Sequence, residues 1–310
     1  MQSCQPKISS ICYSVGRIRP VEALVDLGIA DQNAIELLVA RGIQNFCEDS
    51  RPAPDMCRSC IADTLLESGL QPSDIGAVVI GSSMAKWDLK EERAFLASLA
   101  SIGFSRTQIF GVSMQACGVS NAALELARLL ISSGSGLKNV LVVIYGKSCE
   151  EDRLAPQAST LFSDGAVSCI VSSHSGSLEI ICAASLTDPA LATLEWTETN
   201  VQKYLLSGVA SLRQVCESVY SQSRISSRDI AAVFGTNGST IHLQMIQFAS
   251  GVTDNRVYRE NLSRYAHIYG CDNLIGVRDR ILTQDFESGE YMVLVAWAPN
   301  VASACLLRRV

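Results

Sequence analysis

Two kinds of apolar pattern alternate along the chain. Short uninterrupted apolar runs, AVVIGS at 77–82, NVLVVIYG at 139–146 and YMVLVAWA at 291–298, have the length and continuity of strands buried on both faces. Between such runs, stretches like SNAALELARLL at 120–130 place apolar side chains at helical spacing. Buried strands alternating with amphipathic helices predict α/β layering.

The pattern also repeats. CIADTLLESGLQPSDIGAVVIGSS at 60–83 has a partner in CESVYSQSRISSRDIAAVFGTNGS at 216–239, with Asp74 facing Asp229 in register. In each, a helical segment runs through a turn and an Asp-Ile pair into an apolar strand that ends in Gly and Ser. A second pair joins SGSGLKNVLVVIYG at 133–146 to DFESGEYMVLVAWA at 285–298. Both pairs are separated by about half the chain, which predicts two similar halves, residues 1–175 and 176–310.

Composition narrows the class. A chain of 310 residues that is 48% hydrophobic can bury one large core or two packed ones. It contains no apolar run of the length that spans a bilayer, and MQSCQPKISS lacks the layout of a secretory signal, so a cytoplasmic protein is expected. The twelve cysteines are then expected to be mostly reduced core thiols. A net charge of −6 without a Lys/Arg stripe argues against nucleic acid or an anionic membrane as partner.

One cysteine stands apart. Cys117 lies where the helix of SMQACGVSNAALELARLL begins, and a thiol there faces free backbone N–H groups that favour the nucleophilic thiolate. The repeat places AHIYGCD, residues 266–272, at the corresponding point of the second half, so His267 and Asp272 join Cys117 in a chain with only three histidines. An imidazole beside a thiol can move its proton, and a carboxylate can fix the imidazole's tautomer. The alternatives are ordinary: a core thiol, a core or dimer-contact histidine, and an aspartate capping the next helix.

Longer stretches carry a resemblance. ISSICYSVGRIRP, ADTLLESGLQPSDIGAVVIGSS, SMQACGVSNAALELARLLISSG and LFSDGAVSCIVSS together resemble the thiolase superfamily, nearest the 3-oxoacyl-ACP synthase III (ketoacyl synthase III) group. The resemblance implies a thiolase fold, five-layered αβαβα from two duplicated halves, and a homodimer. It also implies that Cys117 accepts an acyl group as a thioester, from CoA or from the phosphopantetheine of an acyl carrier protein, with no bound cofactor and no metal.

The departures from the group concern the other site residues. Decarboxylating members complete their triad with the histidine of an HQAN-like motif and the asparagine of a GNTS-like motif. Here the first motif reads GTNGS, with Thr236 in the histidine's place and Ser239 in that of the motif's asparagine. The second reads YAHIYGCDN, with His267 in the asparagine's place and Asp272 five residues on. That arrangement resembles synthase III-like acyltransferases of specialised metabolism, which pass the acyl group to a hydroxyl or amine of a small-molecule acceptor without decarboxylation. Enolate formation needs two neutral donors around one oxygen, whereas direct transfer needs a base, which a carboxylate-held imidazole supplies. The alternatives are carbon–carbon bond formation, decarboxylative or Claisen-type, and a partner subunit of a condensing heterodimer. In the resembled group a glycine-rich loop supplies the second oxyanion donor; here it reads AWAPNVAS, where Pro299 has no N–H and Asn300 or a neighbour must donate.

Other features weigh less. Cys57 and Cys60 have metal or redox spacing but stand alone in a helix-periodic stretch. Arg264, Arg278 and Arg280 are candidate contacts for phosphopantetheine or an acidic carrier, or simply a solvated face, and His174 and His242 are expected on the surface and on a helix. Segment 184–204 is a candidate lining of the acyl or acceptor channel.

Overall fold

The computed structural model describes residues 5–83, 88–149, 152–191, 198–283 and 286–310. Its strands are β1 (Lys7–Val15), β2 (Arg17–Pro20), β3 (Asn45–Glu48), β4 (Ala77–Ser82), β5 (Gln108–Val112), β6 (Asn139–Gly146), β7 (Gly165–Ser172), β8 (Leu178–Thr187), β9 (Ile230–Gly235), β10 (Val257–Tyr258), β11 (Tyr291–Ala298) and β12 (Val301–Arg309). Its helices are α1 (Ala23–Asp26), α2 (Gln32–Ala40), α3 (Ala53–Ser68), α4 (Leu89–Ile102), α5 (Val119–Ser132), α6 (Glu198–Ser223), α7 (Thr240–Ser250), α8 (Glu260–Tyr265) and α9 (Asp272–Thr283).

Strand order makes the two halves comparable. The first half runs β1-β7-β6-β4-β5 and the second β8-β12-β11-β9-β10, joined edge to edge by a short β1–β8 pairing. In both, the inner strand pairs parallel to the two that flank it, β4 with β5 and β6, and β9 with β10 and β11. In both, the remaining pairs are antiparallel, β6–β7–β1 and β11–β12–β8. The aligned aspartates do the same work: Asp74 accepts the Gln71 N–H at 2.8 Å and Asp229 the Ser226 N–H at 2.7 Å, each closing a single-turn helix ahead of β4 and β9. The sequence repeat therefore encodes a repeated turn.

The layers follow from what each helix must cover. α3 and α4 pack on the outer face of the first sheet, burying Met56, Ile61 and Phe95 against Ile80 and Val143. α6 and α7 cover the outer face of the second, around Leu212, Val219 and Leu243. α5 and α9 lie between the sheets, with Val119, Leu124, Leu274 and Val277 packed among Val142 and Leu294. This is the five-layered αβαβα expected. Strands covered on both faces have no solvent side, which is why β4 and β6 are buried throughout and apolar over Ala77–Ile80 and Val140–Ile144.

Both central helices begin beside each other. A single-turn helix at Ala116–Gly118 leads into α5 and another at Tyr269–Cys271 into α9, and the two turns touch. Gly118 allows the first of these to lie on β12, since a Cβ there would sit 2.7 Å from Ser303 Oγ. Asn121 pins α5 in that position by donating to Ser303 Oγ at 3.0 Å and to the Leu294 carbonyl at 3.2 Å.

Candidate active site

The three residues singled out from the sequence meet. Cys117 Sγ lies 3.1 Å from His267 Nε2, and His267 Nδ1 lies 2.6 Å from Asp272 Oδ2. Cys117 is partly exposed, whereas His267 and Asp272 are buried. Ala116, just before the cysteine, has φ 42°, and Tyr269, at the matching place in the second half, has φ 51°. Both turns hold a non-glycine residue in the left-handed region at the mouth of a central helix, a strain that surrounding contacts must maintain.

Asp272 opens α9, but its carboxylate does not serve the helix's own N–H groups. Oδ1 accepts the Ile268 N–H at 2.8 Å and Oδ2 the Asn237 N–H at 2.7 Å, alongside the imidazole. Three donors thus fix one buried carboxylate, which in turn fixes the ring with Nδ1 toward Asp272 and Nε2 toward the sulfur. Burial opposes charging the His267 ring, but the Cys117 sulfur and the Asp272 carboxylate outweigh it and push the imidazole up to about 10.

The FSDGA stretch holds the histidine from the other side. The His267 N–H donates to the Leu161 carbonyl at 3.1 Å and the Ser163 N–H to the His267 carbonyl at 2.9 Å, a short parallel bridge. Phe162 stacks on Tyr269 at 4.7 Å and packs on the imidazole at 5.3 Å. Beneath them, buried Asp164 accepts from the Asp49 N–H, the Ser148 N–H and Arg153 Nη2, and buried Arg153 also donates to the Cys47 and Phe162 carbonyls. Arg153 Nη1 and Nη2 and both Asp164 oxygens are thus bonded, and the pair ties this loop to β3 and to the start of the segment after β6.

The GTNGS motif does structural work at the site. Thr236 Oγ1 accepts the Trp297 N–H at 3.1 Å, extending the β9–β11 ladder by one bond, and Asn237 serves Asp272 through its backbone. Ser239 caps α7 by accepting the His242 N–H, and its hydroxyl lies 2.9 Å from His242 Nδ1. His242 is on a helix, as expected, but it also lines the cavity reached by Cys117. Burial, reinforced by nearby His267, lowers it to about 4, so it stays neutral near neutral pH. Only the folding of α7 toward β11 reveals that placement; nothing in its sequence neighbourhood signals it.

That cavity has a volume of ≈ 580 Å³, and its walls include Leu154, Phe162, Thr236, Tyr269 and Trp297. Other sequence candidates fall elsewhere. Arg278 pairs with Glu67 at 2.7 Å and Arg280 with Glu260 at 3.5 Å, roughly 9 and 12 Å along α9 from Asp272, and Arg264 lies over the Tyr265 ring at 4.6 Å. None of the three lines the cavity. Cys57 and Cys60 are buried in α3, where desolvation raises both thiols. Pro299 lines the cavity, while the Asn300 carbonyl accepts the Asp188 N–H at 2.9 Å. The described part of segment 184–204 is absent from the cavity's walls, and residues 192–197 lie outside the described residues.

The chain matches no family model and no curated protein. Solved structures share its fold over nearly their whole length. ChlB3, described as an acyltransferase, superposes with a TM-score of 0.84 at 19% identity, over 99% of this chain and 98% of that one. The 3-oxoacyl-[acyl-carrier-protein] synthase III of Aquifex aeolicus VF5 gives 0.83 at 18% identity, over 98% and 99%. Cerulenin-bound OleA of Xanthomonas campestris gives 0.81 at 13% identity, over 99% and 100%. The likeness to these solved structures is one of fold, and it runs over nearly the whole chain.

Proposed function

We propose that this chain is a ketoacyl synthase III-like acyltransferase of specialised metabolism, built from thiolase-like halves 1–175 and 176–310. It loads an acyl group from CoA or a carrier protein onto Cys117 and passes it to a hydroxyl or amine. The observation that carries the proposal is the continuous line from the Cys117 sulfur through His267 to Asp272, at 3.1 and 2.6 Å.

The geometry suits two half-reactions. In the first, the Cys117 sulfur attacks the donor's thioester carbonyl; the new C–S bond forms as the old one breaks, and the departing thiol takes its proton from His267. The Cys117 N–H stabilises the intermediate's oxygen. In the second, the acceptor's O–H or N–H gives its proton to His267 Nε2 and attacks the acyl carbon, releasing Cys117. Acylation itself prepares the histidine for that step. Acylation removes the sulfur's upward push on the imidazole, while burial still pushes it down and Asp272 still pushes it up, so the ring shifts toward the neutral form that can accept a proton.

The contrast with decarboxylative condensation rests on Thr236. It occupies the position of the group's donor histidine, so a short hydroxyl, whose oxygen accepts the Trp297 N–H, stands in place of an imidazole. We further propose a homodimer joined along β5, the end strand of the first sheet, where Ile109 is exposed.

Intact-protein mass spectrometry with a panel of acyl-CoA and acyl-carrier thioesters tests the reading. An acyl adduct is expected on the wild type and on His267→Ala, and none on Cys117→Ala. Asp272→Asn is expected to slow transfer to an acceptor by about 10²–10⁴. Release of CO₂ from a malonyl thioester by the acylated enzyme would favour condensation instead; an unmodified wild type with every donor would favour a partner subunit.

A further inference from the structure

The cavity at Cys117 and a second cavity of ≈ 170 Å³ both have Trp297 in their walls. Trp297, Ala298 and Pro299 line both. The other walls differ: Cys117, Phe162 and Leu154 on one side, Leu186, Leu191 and Ser211 on the other. The second set includes part of segment 184–204, so the described end of that segment faces the smaller space and not the thiol.

The indole is clamped in place. Trp297 is the penultimate residue of β11 and is buried, held at its backbone by Thr236 Oγ1. One side packs on the His242 ring, with centroids 5.0 Å apart and planes 35° apart. On the other, Nε1 presses on α6 at Gly208, where a Cβ would fall 2.3 Å from it. A side chain at 208 would therefore displace the ring, and glycine in mid-helix carries a cost in helix propensity that this close approach offsets. The ring is wedged between α7 and α6 at the boundary of two spaces.

We propose that Trp297 is the wall that sets the maximum size of the acyl group carried on Cys117, and that the smaller cavity is an extension of the acyl site closed off by its indole. The inference rests on the acyl-cysteine reading above. Leu154, Phe162 and Trp297 on the near side select a hydrocarbon group, and the far side mixes Leu186 and Leu191 with Thr187, Asp188, Ser207 and Ser211. With the indole in place the group is compact; without it, a longer chain reaches between β12 and α6.

The test is competitive acylation with straight-chain acyl thioesters from acetyl to dodecanoyl, read by intact mass on the wild type, Trp297→Ala and Trp297→Phe. Trp297→Ala should raise the ratio of long-chain to short-chain adduct roughly tenfold or more, since a few methylenes accommodated or refused carry that much discrimination. Trp297→Phe keeps an aromatic ring against His242 and should shift the profile part of the way, which preserves the test if the alanine variant folds poorly. Variants that acylate with short chains at the wild-type rate and show an unchanged chain-length profile would overturn the inference while leaving the acyl-cysteine reading intact. A wild type that takes up no acyl group would overturn both.

Discussion

At the scale of single residues, opposing effects act on the His267 ring. Burial disfavours its charged form, and the Cys117 sulfur and Asp272 carboxylate favour it more strongly, so its folded value of about 10 lies above the ordinary 6.5. A group raised in this way stabilises the fold fully below pH 6.5, and the contribution is lost as pH rises through about 10. Cys117→Ala removes the largest upward push, so the wild type should lose more stability than the variant between pH 7 and 10, by on the order of 1.4 kcal/mol for each pKa unit the sulfur supplies. Urea midpoints of both proteins at pH 7 and 10 check this. An equal loss in the two would show that the sulfur does not sustain the charged ring.

At the scale of elements, the site depends on how closely the turn before α5 lies on β12. Gly118→Ala would place a Cβ 2.7 Å from Ser303 Oγ and 3.3 Å from Ser303 Cβ, pushing the Cys117 turn away from the strand. The expected cost is about 1–3 kcal/mol of stability. A displacement of the Cys117 sulfur by a fraction of an ångström should also slow the proposed acylation, to a degree that can reach about 10². Ser303→Gly combined with Gly118→Ala removes the clashing atoms and should restore part of the acylation rate, although Asn121 loses one acceptor. Denaturation curves and single-turnover acylation of the two variants separate the effects. No recovery in the double variant would mean that the glycine is needed for the turn itself and not for the approach to β12.

At the scale of the whole molecule, the two sheets are open at opposite ends. The second ends on β10, a strand of two residues, whereas the first ends on five-residue β5, with Ile109 exposed beside unpaired backbone. An edge of that length with apolar side chains is a template for pairing with another chain. Ile109→Lys should shift the proposed homodimer toward monomer in sedimentation velocity, without altering the midpoint of monomer unfolding by more than about 0.5 kcal/mol. A dimer that persists unchanged would place the contact elsewhere.

Much of this organisation is encoded locally and could be read from the chain. The apolar runs of β4, β6 and β11 are continuous because these strands are covered on both faces, and the Asp74 and Asp229 turns recur because a carboxylate three residues on satisfies the same backbone N–H in each half. That Cys117, His267 and Asp272 would lie together was legible because the repeat sets the starts of the two central helices opposite each other. The tertiary structure alone decided the rest. Asp272 receives N–H groups from two separate loops, Thr236 turns its hydroxyl to Trp297, the arginines pair away from the cavity, and His242 and Trp297 meet only because α7 folds back on β11. Such contacts join residues far apart in the chain, and they leave no periodicity or spacing because each partner's type is compatible with many other environments until the packing selects one.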